Sequence, residues 1–392
     1  GVQTCALPIS YEKNKIIPSA DTACKKGIAT HGISFSYTME ALQGKIAPRI
    51  LKIATPFPFP ESLAVQFLAN LDEVLCLEEL DPIMERELTY LCGKYHLSTK
   101  IRGKLTHDVA PAGENSCDSV AANLAAFLEW EQPKPLQMET PPELPVRPPV
   151  LCAGCPHRAS FFAVKEAMKG KKSVFCGDIG CYTLGNAMPL DMVDTCLCMG
   201  AGVNMTQGIG KIEPDTTCFA FVGDSTFFAS AITGMVNAVY NQANMTLVIL
   251  DNSTTAMTGH QPHPGTGKTM MGQVVDKVDI VETLHGIGVK TVETVNPLHL
   301  KEAIACVKQV AVQDGVKAII FKSPCAVLIK SDKPAEIDER KCIQCKKCIR
   351  TLGCPGIVLQ NGKVQIEQAL CTGCGVCAQV CPVSAIGGEC HA

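Results

Sequence analysis

Short apolar runs alternate along the chain with stretches in which apolar residues recur every three or four positions. In residues 10–130, "KKGIATHG", "PRILKIATPFP" and "DEVLCLEEL" predict strands, and "ESLAVQFLANL" predicts a helix. "SYTMEALQG" predicts a helix that ends near Gly44, and "DPIMERELTYLCGKY" predicts one with Asp81 as N-cap and Pro82 in its first turn. The alternation indicates an open α/β domain with a parallel sheet.

The same alternation returns in residues 150–335. "TTCFAFVG", "MTLVILD", "VKTVETV" and "VKAIIFK" predict strands, and "STFFASAITGMVNAVYNQ" and "PLHLKEAIACVKQVAVQ" predict the helices between them. Residues 131–149 are rich in proline and predict an extended linker between the two domains. Residues 336–392 are short, cysteine-rich and internally repeated, so we expect a third, smaller domain.

Residues 1–9 ("GVQTCALPI") have no clear link to this pattern. They resemble the translation of a common sequencing adapter, so we exclude them, Cys5 included, from the fold. We therefore expect that the natural N-terminus is missing.

Composition narrows the class of protein. The 392 residues carry 35 basic and 38 acidic side chains, which gives no electrostatic reason to expect nucleic acid or a membrane surface as a partner. The sequence contains neither an apolar run of membrane-spanning length nor a signal-peptide pattern. Its 23 cysteines indicate a reducing compartment and metal clusters, so we expect a cytoplasmic protein of an anaerobic host.

The C-terminal repeats predict two [4Fe–4S] clusters. "CTGCGVCAQVCP" has the spacing of bacterial ferredoxins, and "CIQCKKCIRTLGCP" differs only in a longer last gap. In dicluster ferredoxins the fourth cysteine of each run ligates the other cluster. The first cysteine set is therefore Cys342, Cys345, Cys348 and Cys381, and the second cysteine set is Cys371, Cys374, Cys377 and Cys354. A pair of zinc knuckles is the alternative, and Cys390 is left without a predicted role.

Polar residues follow two of the predicted strands of residues 150–335. Asp224 comes directly after "FVG", and Asn252 comes directly after "VILD". A crossover helix between the strands would bring both turns to the same edge of a parallel sheet, where ligands bind. Asp224, Asn252 and the backbone carbonyl of Thr254 could ligate Mg²⁺ together with a diphosphate, and Gly223 would allow close backbone approach.

This arrangement resembles the thiamine diphosphate signature, a Gly-Asp-Gly followed after about thirty residues by Asn-Asn. Ser225 replaces the third glycine and Asp251 the first asparagine, but the expected metal ligands remain. "MGAG" predicts a helix N-terminus beside the diphosphate, with Met199 and Gly200 as further cofactor-binding residues. The alternatives are ordinary strand-end turns and a tight packing turn.

Three histidines are weaker candidates. His260 and His263 lie in a loop rich in glycine and proline near the expected site, where they could contact a substrate. His31 follows a strand of the first domain and could face a substrate or coenzyme. Loop and turn histidines without a catalytic role are the commoner case for all three.

The motifs together resemble one family, the alpha subunits of indolepyruvate:ferredoxin oxidoreductases. The matching segments are "LCAGCPHR", "GDIGCYTLG", "DTCLCMGAG", "GDSTFF", "LDNSTTAMTGHQPHPGTG" and the two ferredoxin repeats. The resemblance implies a transketolase-C-like domain, a thiamine diphosphate-binding domain and a dicluster ferredoxin-like α+β domain. It also implies thiamine- and magnesium-dependent oxidative decarboxylation of aryl 2-oxoacids with coenzyme A, a beta subunit as partner and an external ferredoxin as electron acceptor.

Members of that family begin with a domain whose glutamate activates the thiamine ring, and no such domain precedes residue 10. We therefore expect an N-terminally truncated chain that is inactive alone and whose catalytic glutamate cannot be named. Two alternatives remain at this point: a non-catalytic electron-transfer or scaffold subunit, and an enzyme for another oxoacid such as pyruvate.

"LCAGCPHR" raises the question of a third cluster. Haem attachment requires a histidine directly after the second cysteine, and Pro156 occupies that position. Resemblance to pyruvate:ferredoxin oxidoreductases, which combine a Cys-x-x-Cys with an "IGC" turn and a late "PC" turn, implies a third [4Fe–4S] site. This third cysteine set is Cys152, Cys155, Cys181 and Cys325. Buried structural thiols, or a thioredoxin-type dithiol formed by Cys152 and Cys155, are the alternatives.

Overall fold

The computed structural model describes residues 12–131, 142–329 and 333–387. Residues 1–9, Cys390 and the middle of the predicted linker lie outside this described part. The chain divides into two compact units, residues 1–144 and 145–392. Within the described ranges, no helix is long and apolar enough to cross a membrane.

The first unit is built on a five-stranded sheet of order β1-β3-β2-β4-β5, in which only β1 runs antiparallel. Helices cover both faces, because neighbouring strand residues such as Ile28 and Ala29 belong to separate apolar clusters on opposite sides. The strands are β1 Lys15–Ile17, β2 Lys26–His31, β3 Arg49–Ile53, β4 Glu73–Leu77 and β5 Lys100–Arg102. The helices are α1 Gly32–Ala41, α2 Glu61–Leu68, α3 Ile83–Lys94 and α4 Cys117–Leu128.

The predicted end of α1 was wrong. The helix ends at Ala41 with Leu42 as its C-cap, and Gly44 lies beyond it in a left-handed turn with φ +72°. The glycine is needed for that turn and not for the helix terminus itself.

The predicted N-cap of α3 was also wrong. The residue before the helix is Pro82, whose side chain makes no capping bond. The carboxylate of Glu78, at the end of β4, accepts hydrogen bonds from the amides of Met84 and Glu85 at 2.9 and 3.0 Å. Glu78 is fully buried, so the capping group comes from the preceding sheet edge instead of from Asp81.

The second unit contains a five-stranded, fully parallel sheet of order β6-β7-β8-β10-β9. The four predicted strands are confirmed, and the short β6 was missed. The strands are β6 Ser173–Cys176, β7 Thr217–Gly223, β8 Met245–Asp251, β9 Thr291–Val295 and β10 Val316–Lys322. The helices packed on this sheet include α5 Pro156–Met168, α6 Ala201–Ile212, α9 Ile280–Ile287 and α10 Leu300–Ala311.

The helix that follows β7 is interrupted by a π-helical segment. It starts as a short turn, α7 Asp224–Thr226, continues as the π-helix Phe227–Ala231 and ends as α8 Ile232–Tyr240. The sequence pattern predicted one regular helix here. Single π turns inside α-helices are frequent at functional sites, and this one begins three residues after Asp224.

The C-terminal repeats pack directly on the parallel-sheet domain, within the same compact unit. They contain two short antiparallel strand pairs, of which the second is a hairpin, and two short helices: β11 Glu336–Ile337 with β14 Ile386–Gly387, β12 Ile357–Gln360 with β13 Lys363–Ile366, α11 Lys347–Leu352 and α12 Val376–Val380. The side chain of Gln379 accepts from the amide of Leu300 at 2.9 Å and donates to the carbonyl of Leu298 at 2.7 Å. Residues 336–387 are therefore joined to α10 by both apolar and polar contacts.

The capping role of Glu78 can be tested by mutation. We expect Glu78→Ala to lower the free energy of unfolding of the first unit by about 2 kcal/mol, because two buried amides lose their acceptor. Asp81→Ala, which removes no side-chain hydrogen bond among the described residues, should change it by less than about 0.5 kcal/mol. Urea denaturation followed by fluorescence of Trp130, the single tryptophan, measures both. Equal effects of the two substitutions would contradict the assignment.

Candidate functional site

The carboxyl ends of β7 and β8 form the wall of a cleft of about 700 Å³. The two strands are parallel neighbours, with Gly223 opposite Leu250, so the residues that follow them meet at one edge. Most of the predicted cofactor-binding residues line this cleft: Met199, Gly223, Asp224, Ser225, Asn252 and Thr254. The prediction that they share one sheet edge therefore agrees with their placement.

Asp224 holds a buried carboxylate that is only half satisfied. Its Oδ1 accepts from the amide of Ser225 at 2.8 Å. Its Oδ2 has no hydrogen-bond partner among the described residues, although Nε2 of His263 lies 3.1 Å away without the alignment of a hydrogen bond. A buried anionic oxygen without a donor is costly, so this atom fits a cation ligand.

Asn252 and Thr254 face the same cleft and are both buried. Oδ1 of Asn252 accepts from the amide of Thr254 at a long 3.3 Å, and its Nδ2 lies 3.3 Å from Nε2 of His157. The weak bond leaves the amide oxygen free to ligate. A carboxylate, an amide oxygen and a nearby carbonyl are the hard oxygen donors that Mg²⁺ takes alongside phosphate.

Asp251 lines a polar pocket beside the cleft, and its carboxyl group interacts with that of Asp224. Its Oδ1 accepts from the amide of Ser253 at 3.0 Å, and its Oδ2 lies 3.6 Å from Nζ of Lys322. Burial, and then the charge of Asp224, raise the pKa of Asp251. Asn252 and Thr254 thus line the cleft. Asp251, which replaces the first asparagine of the thiamine diphosphate signature, lines the neighbouring polar pocket.

The predicted helix N-terminus at "MGAG" is present, but its first amide is already paired. Gly200 is the N-cap residue of α6 with φ +84°, a conformation that favours glycine. Its N–H donates to Oδ1 of Asp178 at 2.9 Å. Met199 lines the cleft, whereas Gly200 lies behind it as an anchor for Asp178.

Asp178 and Tyr182 are site residues that the sequence reasoning missed. Asp178 is fully buried and accepts from the hydroxyl of Tyr182 at 2.8 Å, and that hydroxyl lies 3.0 Å from Oγ1 of Thr226. Burial raises the pKa of Tyr182 well above its ordinary value, so its hydroxyl stays protonated. A Cβ at Gly223 would lie 2.7 Å from the Tyr182 ring, so only glycine fits there. The sequence signal that could have identified Asp178 is "FCGDIG". This segment has the same Phe-x-Gly-Asp pattern as "FVGDST", which contains Asp224 and lies at the end of the neighbouring strand.

His157 was also missed, although it belongs to "LCAGCPHR". It lies in α5, is 3% exposed and lines the cleft. Burial lowers its pKa to about 4, so the imidazole is neutral at physiological pH. Its ring contacts that of Tyr182 edge-on with 5.8 Å between centroids. The histidine, the tyrosine and Asn252 therefore form one neutral polar wall.

The three weaker histidine candidates lie in different places. His263 is buried, stacks on Phe228 and accepts from the amide of Gly265 through Nδ1, whereas His260 is exposed. In the first unit, Nε2 of His31 lies 3.6 Å from the carboxylate of Glu78. Only His263 reaches the predicted metal ligands of the second unit.

Of the third cysteine set, only Cys181 lines the cleft among the described residues, whereas Cys155 lines the cavity of the second cysteine set. Burial, and then the neighbouring thiols of Cys325 and Cys152, raise the pKa of Cys181, which places these three groups near one another. The amide of Cys325 donates to the carbonyl of Asn252 at 3.0 Å. Cys155 is the N-cap residue of α5, and burial raises its pKa to about 12.

The first and second cysteine sets each surround an apolar cavity. All four thiols of the first set line one cavity, and all four of the second set line another. Amides of Ala385 and Ala335 donate to the sulfurs of Cys381 and Cys371, each at 3.3 Å. These N–H···S bonds are of the kind that tune iron–sulfur clusters.

The arrangement fits clusters better than single ions. Across the described ranges, no three His, Cys, Asp or Glu side chains are grouped tightly enough to bind one metal ion. Zinc would require four ligands converging on one centre, whereas a cluster requires thiolates distributed around a cavity. Burial and neighbouring thiols raise the pKa of Cys377 to about 12, so the thiolate form depends on the bound metal.

The second cavity also contacts the Cys-x-x-Cys loop. Ala153, Gly154 and Cys155 line it together with the second cysteine set. Gly154 has φ +73°, and a Cβ there would lie 1.9 Å from Oγ1 of Thr372. The loop that supplies half of the third cysteine set thus packs against the loop that supplies the second.

Two family models match the second unit. The thiamine pyrophosphate enzyme, C-terminal TPP binding domain, matches residues 178–321, and the 4Fe-4S dicluster domain matches residues 335–387. They confirm the predicted thiamine diphosphate-binding fold and the dicluster domain. The transketolase-C-like assignment of residues 10–130 stays a prediction, as do the individual ligand assignments and domain boundaries.

The sequence is similar to curated proteins along nearly its whole length. It is 38% identical over 372 residues to the indolepyruvate oxidoreductase subunit IorA of Methanothermobacter thermautotrophicus, covering 93% of this chain and 60% of that protein. It is 36% identical over 375 residues to the IorA of Archaeoglobus fulgidus, covering 92% of this chain and 59% of the relative. The chain thus spans about three-fifths of the length of these relatives, and the resemblance stated from the motifs is confirmed.

A solved structure aligns more weakly. The 2-oxoglutarate:ferredoxin oxidoreductase from Magnetococcus marinus matches with a TM-score of 0.41 at 21% identity, over 46% of this chain and 65% of that one.

The neutral state of His157 can be tested directly. We expect its ring ¹³C shift to stay at the neutral value from pH 8 to about 5 and to change only near pH 4. His157→Gln identifies the signal by its loss. In the unfolded chain, His157 should bind a proton near pH 6.5, so its contribution to the free energy of unfolding should be complete above that pH. It should fall by up to about 3 kcal/mol as the pH drops towards 4. Titration of the signal near pH 6.5 would contradict the burial argument.

Proposed function

We propose that this chain, a homologue of the IorA subunits of indolepyruvate oxidoreductases, is the thiamine diphosphate- and cluster-bearing part of a 2-oxoacid:ferredoxin oxidoreductase. The observation that carries the proposal is the shared cleft. Asp224, Asn252 and Cys181 of the third cysteine set line the same cleft, and the backbone carbonyl of Asn252 accepts a hydrogen bond from the amide of Cys325. A cofactor that carries out decarboxylation and a group that removes electrons would therefore be neighbours.

Each residue of the cleft has a proposed task. When bound, thiamine diphosphate would stabilise the carbanion that decarboxylation leaves behind. Oδ2 of Asp224, Oδ1 of Asn252 and the carbonyl of Thr254 hold Mg²⁺, which binds the diphosphate. Gly223 and Ser225 form the turn on which Asp224 is presented, and Met199 contributes to the apolar wall. The neutral ring of His157 holds the amide of Asn252 in place without adding charge beside the metal.

Three [4Fe–4S] clusters are proposed, one for each cysteine set. The contact of Gly154 with Thr372 brings the third set next to the second. The thiol of Cys348, in the first set, contributes to the raised pKa of Cys377, in the second set, which supports a short distance between these two sets. This order favours single-electron transfer from the cleft through the third, second and first sets in turn. An external ferredoxin then accepts the electrons near the first set.

The relatives that this chain resembles are subunits of indolepyruvate oxidoreductases, which supports the proposed substrate. We infer an aryl 2-oxoacid, indolepyruvate above all, as the substrate. Coenzyme A as acyl acceptor and a beta subunit as partner are proposed from the resemblance of the motifs to the alpha-subunit family. The activating glutamate of the thiamine ring is not among the residues of the cleft. We therefore propose that it comes from a part of the complete enzyme that residues 12–387 do not supply.

Cofactor binding tests the proposal. Anaerobically reconstituted chain should bind thiamine diphosphate in calorimetry only when Mg²⁺ is present. Asp224→Asn should weaken that binding at least tenfold, because the metal loses its only charged ligand. Ser253→Ala, in the same loop but outside the cleft, should leave it unchanged. Absence of binding by the unsubstituted chain would favour a non-catalytic electron-transfer or scaffold subunit.

Iron content tests the third cluster. We expect about twelve irons per anaerobically prepared chain, and about eight in Cys325→Ser, because one four-iron cluster loses a ligand. Cys218→Ser, a buried cysteine outside all three sets, is the matched control and should retain the full number. About eight irons in the unsubstituted chain would remove the third cluster and leave the other two.

A further inference from the structure

Arg158 carries a buried positive charge that has no carboxylate partner. It follows "LCAGCPH" in α5 and is 5% exposed. None of the ion pairs found among the described residues includes it. A buried, unpaired charge costs several kcal/mol, so its presence points to an anion that compensates it.

The guanidinium bridges the two parts of the second unit through backbone carbonyls alone. One terminal nitrogen donates to the carbonyls of Leu352 and Gly353 at 2.7 and 3.0 Å, directly before Cys354 of the second cysteine set. The other donates to the carbonyls of Leu151 and Cys152, the latter at 3.4 Å. Neutral carbonyls orient the group, but they do not neutralise its charge.

The remaining donor is directed to the interior. Nε of Arg158 is buried and has no hydrogen-bond partner in the described part of the chain. Arg158 lines the cavity that the second cysteine set surrounds, together with Cys155. Its charge also counteracts the effect of burial on the pKa of Cys155. The cavity is otherwise apolar, so the charge acts there with little screening.

We propose that Arg158 is the built-in counter-charge of the cluster held by the second cysteine set and positions that cluster against the Cys152–Cys155 loop. A [4Fe–4S] cluster with four thiolate ligands is anionic and gains one further negative charge on reduction. The fixed guanidinium therefore stabilises the reduced form more than the oxidised form and raises the reduction potential. This makes the second cluster a favourable acceptor for electrons leaving the cleft. The inference depends on the proposed clusters.

Reduction potentials test the charge separately from the packing. The full chain is reconstituted anaerobically and titrated with dithionite while the reduced clusters are followed by EPR. Cys374→Ser identifies the step that belongs to the second set. In Arg158→Met, that step should move to lower potential, with the reduced-to-oxidised ratio at a fixed potential falling at least tenfold, or about 59 mV for one electron.

Two further variants separate the explanations. Arg158→Lys keeps the charge but cannot bridge four carbonyls, so it should retain most of the potential. Gln379→Met removes an uncharged bridge between the same two parts and should leave the potential unchanged. If Arg158→Met binds less iron, Arg158→Gln, which keeps donor groups without charge, should show the same shift.

The inference is overturned if Arg158→Met and Arg158→Gln leave the reduction potential of every cluster unchanged. It is also overturned if Arg158→Lys and Gln379→Met shift the potential of the second cluster as much as Arg158→Met does. Failure of the proposed function looks different. In that case the unsubstituted chain itself shows no [4Fe–4S] signals, and no step is available to compare.

Discussion

Parallel pairing of β7 with β8, and of β8 with β10, is the constraint on which the second unit depends. Because the three strands run in the same direction and in register, the turns after Gly223, Asp251 and Lys322 open at one edge. Asp224, Asn252 and Cys325 come from those turns, so the two proposed metal ligands and one proposed cluster ligand share this edge although they are far apart in sequence. An antiparallel sheet would distribute the same turns between opposite edges.

Two buried charges then define what the unit can bind. Asp224 presents an anionic oxygen without a donor, and Arg158 presents a cationic group without a carboxylate. Main-chain contacts hold both groups in place; Nε2 of His263 lies 3.1 Å from Oδ2 of Asp224, and no carboxylate among the described residues pairs with Arg158. A buried charge without a full partner is destabilising, and each would become favourable if a cation bound at the proposed metal site and an anionic cluster at the second cysteine set. Cofactor loading and folding stability of this unit are therefore linked.

Much of this arrangement could be predicted from the sequence, because regular strands and fixed motif spacing are local features. The four longer strands of the second unit, the ferredoxin repeats and the Asp224–Asn252 pair are examples. The failures have physical causes. Glu78 caps a helix from the preceding strand, so no residue next to the helix indicates it. His157 and Tyr182 meet only after α5 and the turn after β6 pack together, and β6 was too short to recognise.

The contact between Gly154 and Thr372 also limits how the unit could have been assembled. A Cβ at Gly154 would clash with the side chain of Thr372, so position 154 accepts a larger residue only if Thr372 moves. The Cys-x-x-Cys loop and the second ferredoxin repeat therefore have complementary surfaces at this contact. A ferredoxin module borrowed from another protein would have the right cysteines and still not seat here, unless its loop left room at the position of Thr372. The proposed electron transfer between the two parts would therefore depend on the fit between them, and not on either part alone.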